Sequence, residues 1–332
     1  MPKKINLPTE LLTPQVAKIR NKILKKFDLE ETFLMSTSGK NYVVRAKNKK
    51  GQSYLLKIRR EKNTENKDDF TKEAIIFKYL SNKKTKQLIF PKVLTIDSAQ
   101  EKKYLVYKYL KGFDLGMYFY LNKKAQTIVD YKSINNILNF IKRQTLPLLK
   151  KTSFKKANLK FYLNLMLQNQ ASFEKALTKK DFNNSLNIIK KNKELLEKNL
   201  TLAHGDFNPK NILIIKTANK KHLDRFSLID WSDAILANPS YDLSFIYLAG
   251  WNHSNLNQKI EKNIKNQKLF YLNCLIHLPK MFEILDHYEK SVELDYINKF
   301  FDKKIKDRLF KLIFSARKYY LNIYKNKIST HL

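Results

Sequence analysis

The chain has 332 residues and is 43% apolar, enough for a substantial core in one two-lobed unit or two small domains and too apolar for general disorder. Its formal charge of +35 comes from 65 Lys and Arg against 30 Asp and Glu. Only eight of those cations are Arg, the usual reader of phosphates and base edges. The Lys are scattered along the whole chain, so the charge reads as a composition bias and nucleic acid is not expected as a specific partner. Cys274 is the only cysteine, which excludes an internal disulfide. No apolar run approaches the ~18 residues of a membrane span, and the basic N-terminus leads into no signal-peptide core. A cytoplasmic protein is expected.

In chain order, residues 8–27 read as a helix with Leu11, Leu12, Val16, Ile19, Ile23 and Leu24 near one face. Short β-branched or aromatic runs at 32–35, 41–46 and 53–58 read as strands, parted by turns at Ser38-Gly39-Lys40 and Lys49-Lys50-Gly51-Gln52. A helix follows at 68–81, with Phe70, Ala74, Phe77 and Leu80 on one stripe. Strands are expected at 91–96 and 103–108. From about 113 the pattern turns helical, at 128–151, 157–178, 183–199, 258–273, 279–299 and 303–325. Two short strands, Ile212–Ile215 and Phe226–Ile229, interrupt it as a hairpin. A strand-rich first part joined to a helical second part is an α+β arrangement.

The chemistry concentrates around that hairpin. Leu202-Ala203-His204-Gly205-Asp206-Phe207-Asn208-Pro209-Lys210-Asn211 leads into its first strand, and Ile229-Asp230-Trp231-Ser232-Asp233-Ala234 leaves its second. Strand pairing brings the loop and Asp230 to one end of the hairpin. A carboxylate plus an amide oxygen suits magnesium, which takes hard oxygen ligands. A separate carboxylate can accept the proton of an attacking hydroxyl. Singly, these are common turn residues. Jointly, a His-Gly-Asp, an Asn five residues after the Asp, an apolar strand and then Ile-Asp-Trp point to phosphoryl transfer.

These motifs resemble the aminoglycoside phosphotransferase and choline kinase superfamily, protein-kinase-like small-molecule kinases. The run Asn238-Pro239-Ser240-Tyr241-Asp242-Leu243 resembles its Pro-x-x-Asp-Leu element, and Ile229–Ala234 is similar to macrolide kinases in particular. Asn208 departs from the family's frequent His before Pro. The resemblance implies a two-lobed fold: a nucleotide-binding lobe at 1–106, a hinge at 107–112, and a helical lobe at 113–332. It implies Asp206 as catalytic base, Asn211 and Asp230 as magnesium ligands, and His204 and Asp242 as structural support. ATP or GTP is the implied phosphate donor. A kinase also needs a Lys on the third strand and a Glu on the next helix. Lys57 and Glu73 fill those positions, with Arg59 able to substitute only in a shifted register. Ser38 and Gly39 are expected over the phosphates. The backbone of Lys108 and Leu110 is expected to receive the base, with Tyr107 behind it.

The acceptor is less legible. Aminoglycosides need an acidic pocket, choline an aromatic cage, and macrolides a large apolar cleft. Asp233, Glu283, Asp286, Glu289, Glu293 and Asp295 make the C-terminal half locally acidic. Trp231, Tyr247, Trp251, Phe282 and Tyr288 are candidate walls. Asp233, Trp231 and Trp251 are taken as the acceptor contacts. The reading is a small-molecule kinase for an antibiotic, macrolide or aminoglycoside. The alternatives are a metabolite kinase (choline, ethanolamine or sugar) and a non-catalytic pseudokinase or basic polyanion binder.

Overall fold

The structure, a computed structural model, describes residues 13–36, 41–59, 69–83, 88–97, 103–116, 131–149, 154–215, 225–293 and 303–332. Its elements run α1 (Pro14–Lys26), β1 (Leu29–Ser36), β2 (Asn41–Asn48), β3 (Ser53–Arg59), α2 (Asp69–Leu80), β4 (Val93–Ile96), β5 (Tyr104–Lys108) and β6 (Phe113–Asp114). Then come α3 (Tyr131–Leu149), α4 (Leu159–Leu167), α5 (Gln170–Ala176), α6 (Lys179–Lys191), α7 (Lys193–Leu196), β7 (Thr201–Ala203), β8 (Ile212–Ile215) and β9 (Arg225–Leu228). The chain ends with β10 (Ile235–Ala237), α8 (Tyr241–Ala249), α9 (Ser254–Asn263), α10 (Gln267–Glu293), α11 (Lys303–Ile323) and a wound tail to His331. Two compact units form, Met1–Leu115 with Lys210–Asp233, and Gly116–Pro209 with Ala234–Leu332.

The first unit is built on an antiparallel sheet of order β1-β2-β3-β5-β4. Gly51, at φ +74°, makes the β2–β3 turn, a conformation open to residues without a Cβ. Thr13 caps α1, its hydroxyl accepting the Val16 N–H, and Pro14 starts the helix. Val16 and Ile23 of α1 then bury against Tyr42, Val44, Ala46, Leu56, Ile58 and Val106. Because alternate strand residues face opposite sides, Leu55 and Lys57 turn to the other face. Helix α2 packs against β4 and β5, with Phe77 edge-on to Tyr107 at 5.2 Å.

A second sheet of order β6-β8-β9 belongs to this same unit. The sequence reading put all of 113–332 in the helical lobe, but tertiary pairing returns 210–233 to the first unit. Phe113 pairs with Ile214, the Ile89 N–H donates to the Phe226 carbonyl at 2.9 Å, and α2 packs on the 3₁₀ turn Trp231–Asp233. Gly112 makes the first pairing feasible, because a Cβ there would lie 2.8 Å from the Ile214 carbonyl oxygen.

The second unit is helical around α10, which packs on α4, α5, α8 and α11. The sequence reading expected helices at 258–273 and 279–299. Instead α9 stops at Asn263, and α10 runs from Gln267 straight through Pro279. Asn266 sets the new start, its side chain accepting the Leu269 N–H at 2.9 Å. A proline inside a helix costs about 3 kcal/mol or more. The burial of Phe270, Leu272, Leu275, Ile276, Leu278 and Phe282 along the same helix outweighs it. The expected helix 157–178 breaks at Gln168 and Asn169, and α6 begins at Lys179 because Thr178 caps it through Asp181. Strands β6, β7 and β10 carry no periodic signal at two or three residues each. Helix α8 escaped because it is buried nearly all round, which erases amphipathic patterning.

Candidate active site

In the first unit, Lys57 projects from β3 under α2 and is 4% exposed. Its ammonium lies 2.7 Å from Glu73 Oε2 and 2.8 Å from Asp230 Oδ1. Glu73 sits on the buried stripe of α2 with Phe70, Ala74 and Phe77, and is fully buried. A carboxylate there is tolerable only with a cation in contact. One ammonium therefore serves two carboxylates. Burial alone would lower Lys57, yet Asp230 and then Glu73 outweigh it and hold the ammonium well above its ordinary value. Burial pushes Glu73 up to about 7 against the pull of Lys57, and the Asp230 charge adds to the rise. Asp230 is the more open of the two acids, its side chain 43% exposed. Arg59 takes no part in this trio. Its guanidinium stacks 5.1 Å over the Phe70 ring.

Asp230 has φ +63°, in the left-handed region that few residues other than glycine adopt. That backbone is held by its surroundings. The Ile229 N–H donates to the Asn211 carbonyl at 3.0 Å, and the Ser232 hydroxyl donates to Asp230 Oδ1 at 3.0 Å. Asn211 and Asp230 therefore flank the same end of the β8–β9 pair, where Ile212 opposes Leu228. A half-exposed carboxylate and an amide oxygen are a donor set that fits magnesium.

In the second unit, β7 pairs with β10 and delivers His204-Gly205-Asp206. Gly205 has φ +84°. Asp242, in the first turn of α8, accepts the His204 N–H at 2.7 Å and the Gly205 N–H at 3.2 Å. Burial pushes its carboxyl up, opposed by those amides and by His204. The His204 ring is buried edge-on to Phe207. Replacing Asp242 by Ala leaves one buried and one part-buried N–H group without this acceptor. The expected cost is about 2–6 kcal/mol in urea unfolding, at about 1–3 kcal/mol per group, with Asp242→Asn losing less; an unchanged midpoint for Asp242→Ala would remove the brace from the account.

Asp206 presents a 26% exposed carboxylate, and its main-chain oxygen accepts the Asn208 N–H at 2.7 Å. Lys280 of α10 places its ammonium 3.3 Å from Asp206 Oδ1. The sequence reading missed this residue, one of 57 Lys in a stretch where Pro279 suggested a helix boundary.

The expected acceptor contacts are not gathered in the same way. Trp231 is wholly buried, its indole N–H donating to the Leu228 carbonyl, so it is a core residue and no acceptor wall. Asp233 is exposed on the following turn, and Trp251 is half-buried past the end of α8. Tyr247 and Phe282 are core, and the Tyr247 hydroxyl bonds Glu261. Asp286 and Glu289, expected in an acidic pocket, are tied to Arg317 at 2.9 and 3.0 Å and to Lys175 at 3.3 Å each. Ser38 and Gly39 lie outside the described residues, as do Glu293's side chain and Asp295. The Lys108 N–H is taken by the Lys92 carbonyl at 2.8 Å. Tyr107 is a buried sheet residue against Phe77. The sequence also gave no sign that Asn238 joins Tyr162 and Asn273 in a buried hydrogen-bond network.

No curated protein sequence matches the chain. Among solved structures, a GDP complex of an aminoglycoside 2'-phosphotransferase-IIIa mutant superposes with a TM-score of 0.62 at 13% identity, covering 94% of this chain and 99% of that one. Spectinomycin phosphotransferase with ADP and spectinomycin gives 0.56 at 15% identity, covering 95% and 97%. Choline kinase LicA from Streptococcus pneumoniae gives 0.54 at 14%, covering 92% and 99%. At such identities these likenesses speak for the fold, a protein-kinase-like α+β architecture. The model of the phosphotransferase enzyme family matches residues 36–258, a stretch that holds Lys57, Glu73, Asp206, Asn211, Asp230 and Asp242. The chain therefore belongs to the phosphotransferase enzyme family and is a small-molecule kinase of that family.

Proposed function

We propose that the chain transfers the γ-phosphate of ATP or GTP to a hydroxyl of a small molecule, with Asp206 as base. The observation that carries this reading is the Lys57 ammonium buried between Glu73 and Asp230. The burial of Glu73 calls for the cation but not for its second, half-exposed partner Asp230, and phosphate binding accounts for both contacts. Asn211 and Asp230 would hold magnesium, which when bound neutralises phosphate charge. Lys57, fixed by Glu73, orients the phosphates. The backbone of Lys108 and Leu110 would receive the base, and Ser38 and Gly39, by resemblance, would serve the phosphates. Asp206 lies five residues before Asn211 in the chain and accepts the hydroxyl proton. The acceptor oxygen then bonds the γ-phosphorus, the bond to the bridging oxygen breaks, and the nucleoside diphosphate leaves.

The Ile229–Ala234 motif and the likeness to aminoglycoside and spectinomycin phosphotransferases support an antibiotic acceptor, macrolide or aminoglycoside, as one reading, against which the cation beside Asp206 weighs. A metabolite alcohol is the second reading, favoured by the cation beside Asp206. Melting curves test the common core. Magnesium with ATP or GTP should raise the melting temperature by several degrees, and the nucleotide without magnesium should raise it less. A response to nucleic acid alone, lost with salt, would instead identify a polyanion binder.

A further inference from the structure

Lys280 is one turn beyond His277 on α10, partly buried, with its ammonium 5.2 Å over the Phe245 ring and 3.3 Å from Asp206. His277 is held neutral by burial and by Lys280, its pKa lowered to about 3, so it adds no second charge. A hydroxyl presented to Asp206 must therefore arrive beside an ammonium. An acceptor bearing its own ammonium near that hydroxyl would need a carboxylate to receive it, and among the described residues those of Asp206 and of α10 beyond Lys280 are mostly paired. Asp206 is paired with Lys280, and Asp286 and Glu289 are paired with Arg317 and Lys175. Glu283, one turn on, is exposed to solvent, where its attraction is weak and screened.

Resting on the kinase reading above, we infer that Lys280 is a specificity residue: it steadies Asp206 and makes the enzyme select alcohols that are acidic or neutral around the reacting hydroxyl, against ammonium-bearing ones. The acceptor class is a sugar, a sugar acid or a related polyol. Aminoglycosides and choline carry ammonium groups and are disfavoured. As Asp206 takes up the hydroxyl proton it loses its charge, and Lys280 then needs a new counter-charge. A carboxylate or phosphate on the acceptor supplies it.

The test measures magnesium-ATP-dependent phosphate transfer to gluconate, glucose, choline and kanamycin at about 50 mM salt, where screening is modest. The full chain and its Lys280→Glu, Lys280→Met and Lys280→Arg variants are compared. Gluconate or glucose should exceed both cations by about tenfold or more in kcat/KM, the scale of one ion pair near a surface. Lys280→Glu should invert that ratio, chiefly through KM, Lys280→Met should flatten it, and Lys280→Arg should keep it. A purely structural residue would change all four acceptors alike. The inference fails if choline or kanamycin is the best acceptor, if neither gluconate nor glucose is phosphorylated, or if Lys280→Glu leaves the ratio in place. The magnesium-nucleotide melting shift separates the two levels, since losing it overturns the kinase reading, whereas keeping it while cations win overturns only the role of Lys280.

Discussion

Asp206→Asn is expected to lower kcat by about 10²–10⁴-fold while leaving the magnesium-nucleotide melting shift in place. The amide keeps the shape of the carboxylate and can still meet a hydroxyl, but it cannot take its proton. Asp206 is partly exposed, and the loop around it is held by Asp242 through the His204 and Gly205 amides. Folding should therefore be little affected, and the melting temperature without ligand should stay within a few degrees of the parent. A drop in kcat of less than about tenfold would remove the base from the mechanism, because removing a general base costs far more.

Lys57→Met has the second large effect, and here stability and function separate. The ammonium is 4% exposed and bonded to a wholly buried acid. Removing one partner of a buried pair leaves an uncompensated charge and costs about 3–5 kcal/mol, readable in urea unfolding. Glu73, already pushed up to about 7, would then stay protonated over more of the pH range, which softens that cost. The double change Lys57→Met with Glu73→Leu should recover most of the lost stability, since two apolar groups can replace a buried pair. On the proposed mechanism neither variant should show the nucleotide-dependent melting shift, because Asp230 has lost the cation at 2.8 Å and the phosphates would lose their Lys. If the double variant still bound magnesium-nucleotide normally, the trio would be a structural ion pair and nothing more.

The contrast between Lys57 and Lys280 shows why one was legible in the sequence and the other was not. Lys57 stands on a strand that a short apolar run between turns identifies, and Glu73 on a helix whose apolar stripe marks its buried side. A carboxylate on that stripe needs a cation, so local pattern and electrostatics together point at the pair. Lys280 sits in a helix whose continuity through Pro279 depends on packing against α4, α5, α8 and α11, and its partner is 74 residues away. Nothing within a few residues of it records that contact.

The sequence alone settled the family motifs, the sheet with its inserted helix, and the residue types at 57, 73, 206, 211 and 230, because strand alternation, helix stripes and fixed spacings are local properties. Tertiary structure decided what those residues touch. It drew the hairpin of residues 210–233 into the first unit, buried Trp231 in the core, and tied Asp286 and Glu289 to Arg317. It also set an ammonium beside the Asp206 carboxylate. The physical reason is that burial and charge pairing depend on which distant segments meet, and a one-dimensional pattern carries that information only where a single element already fixes both faces.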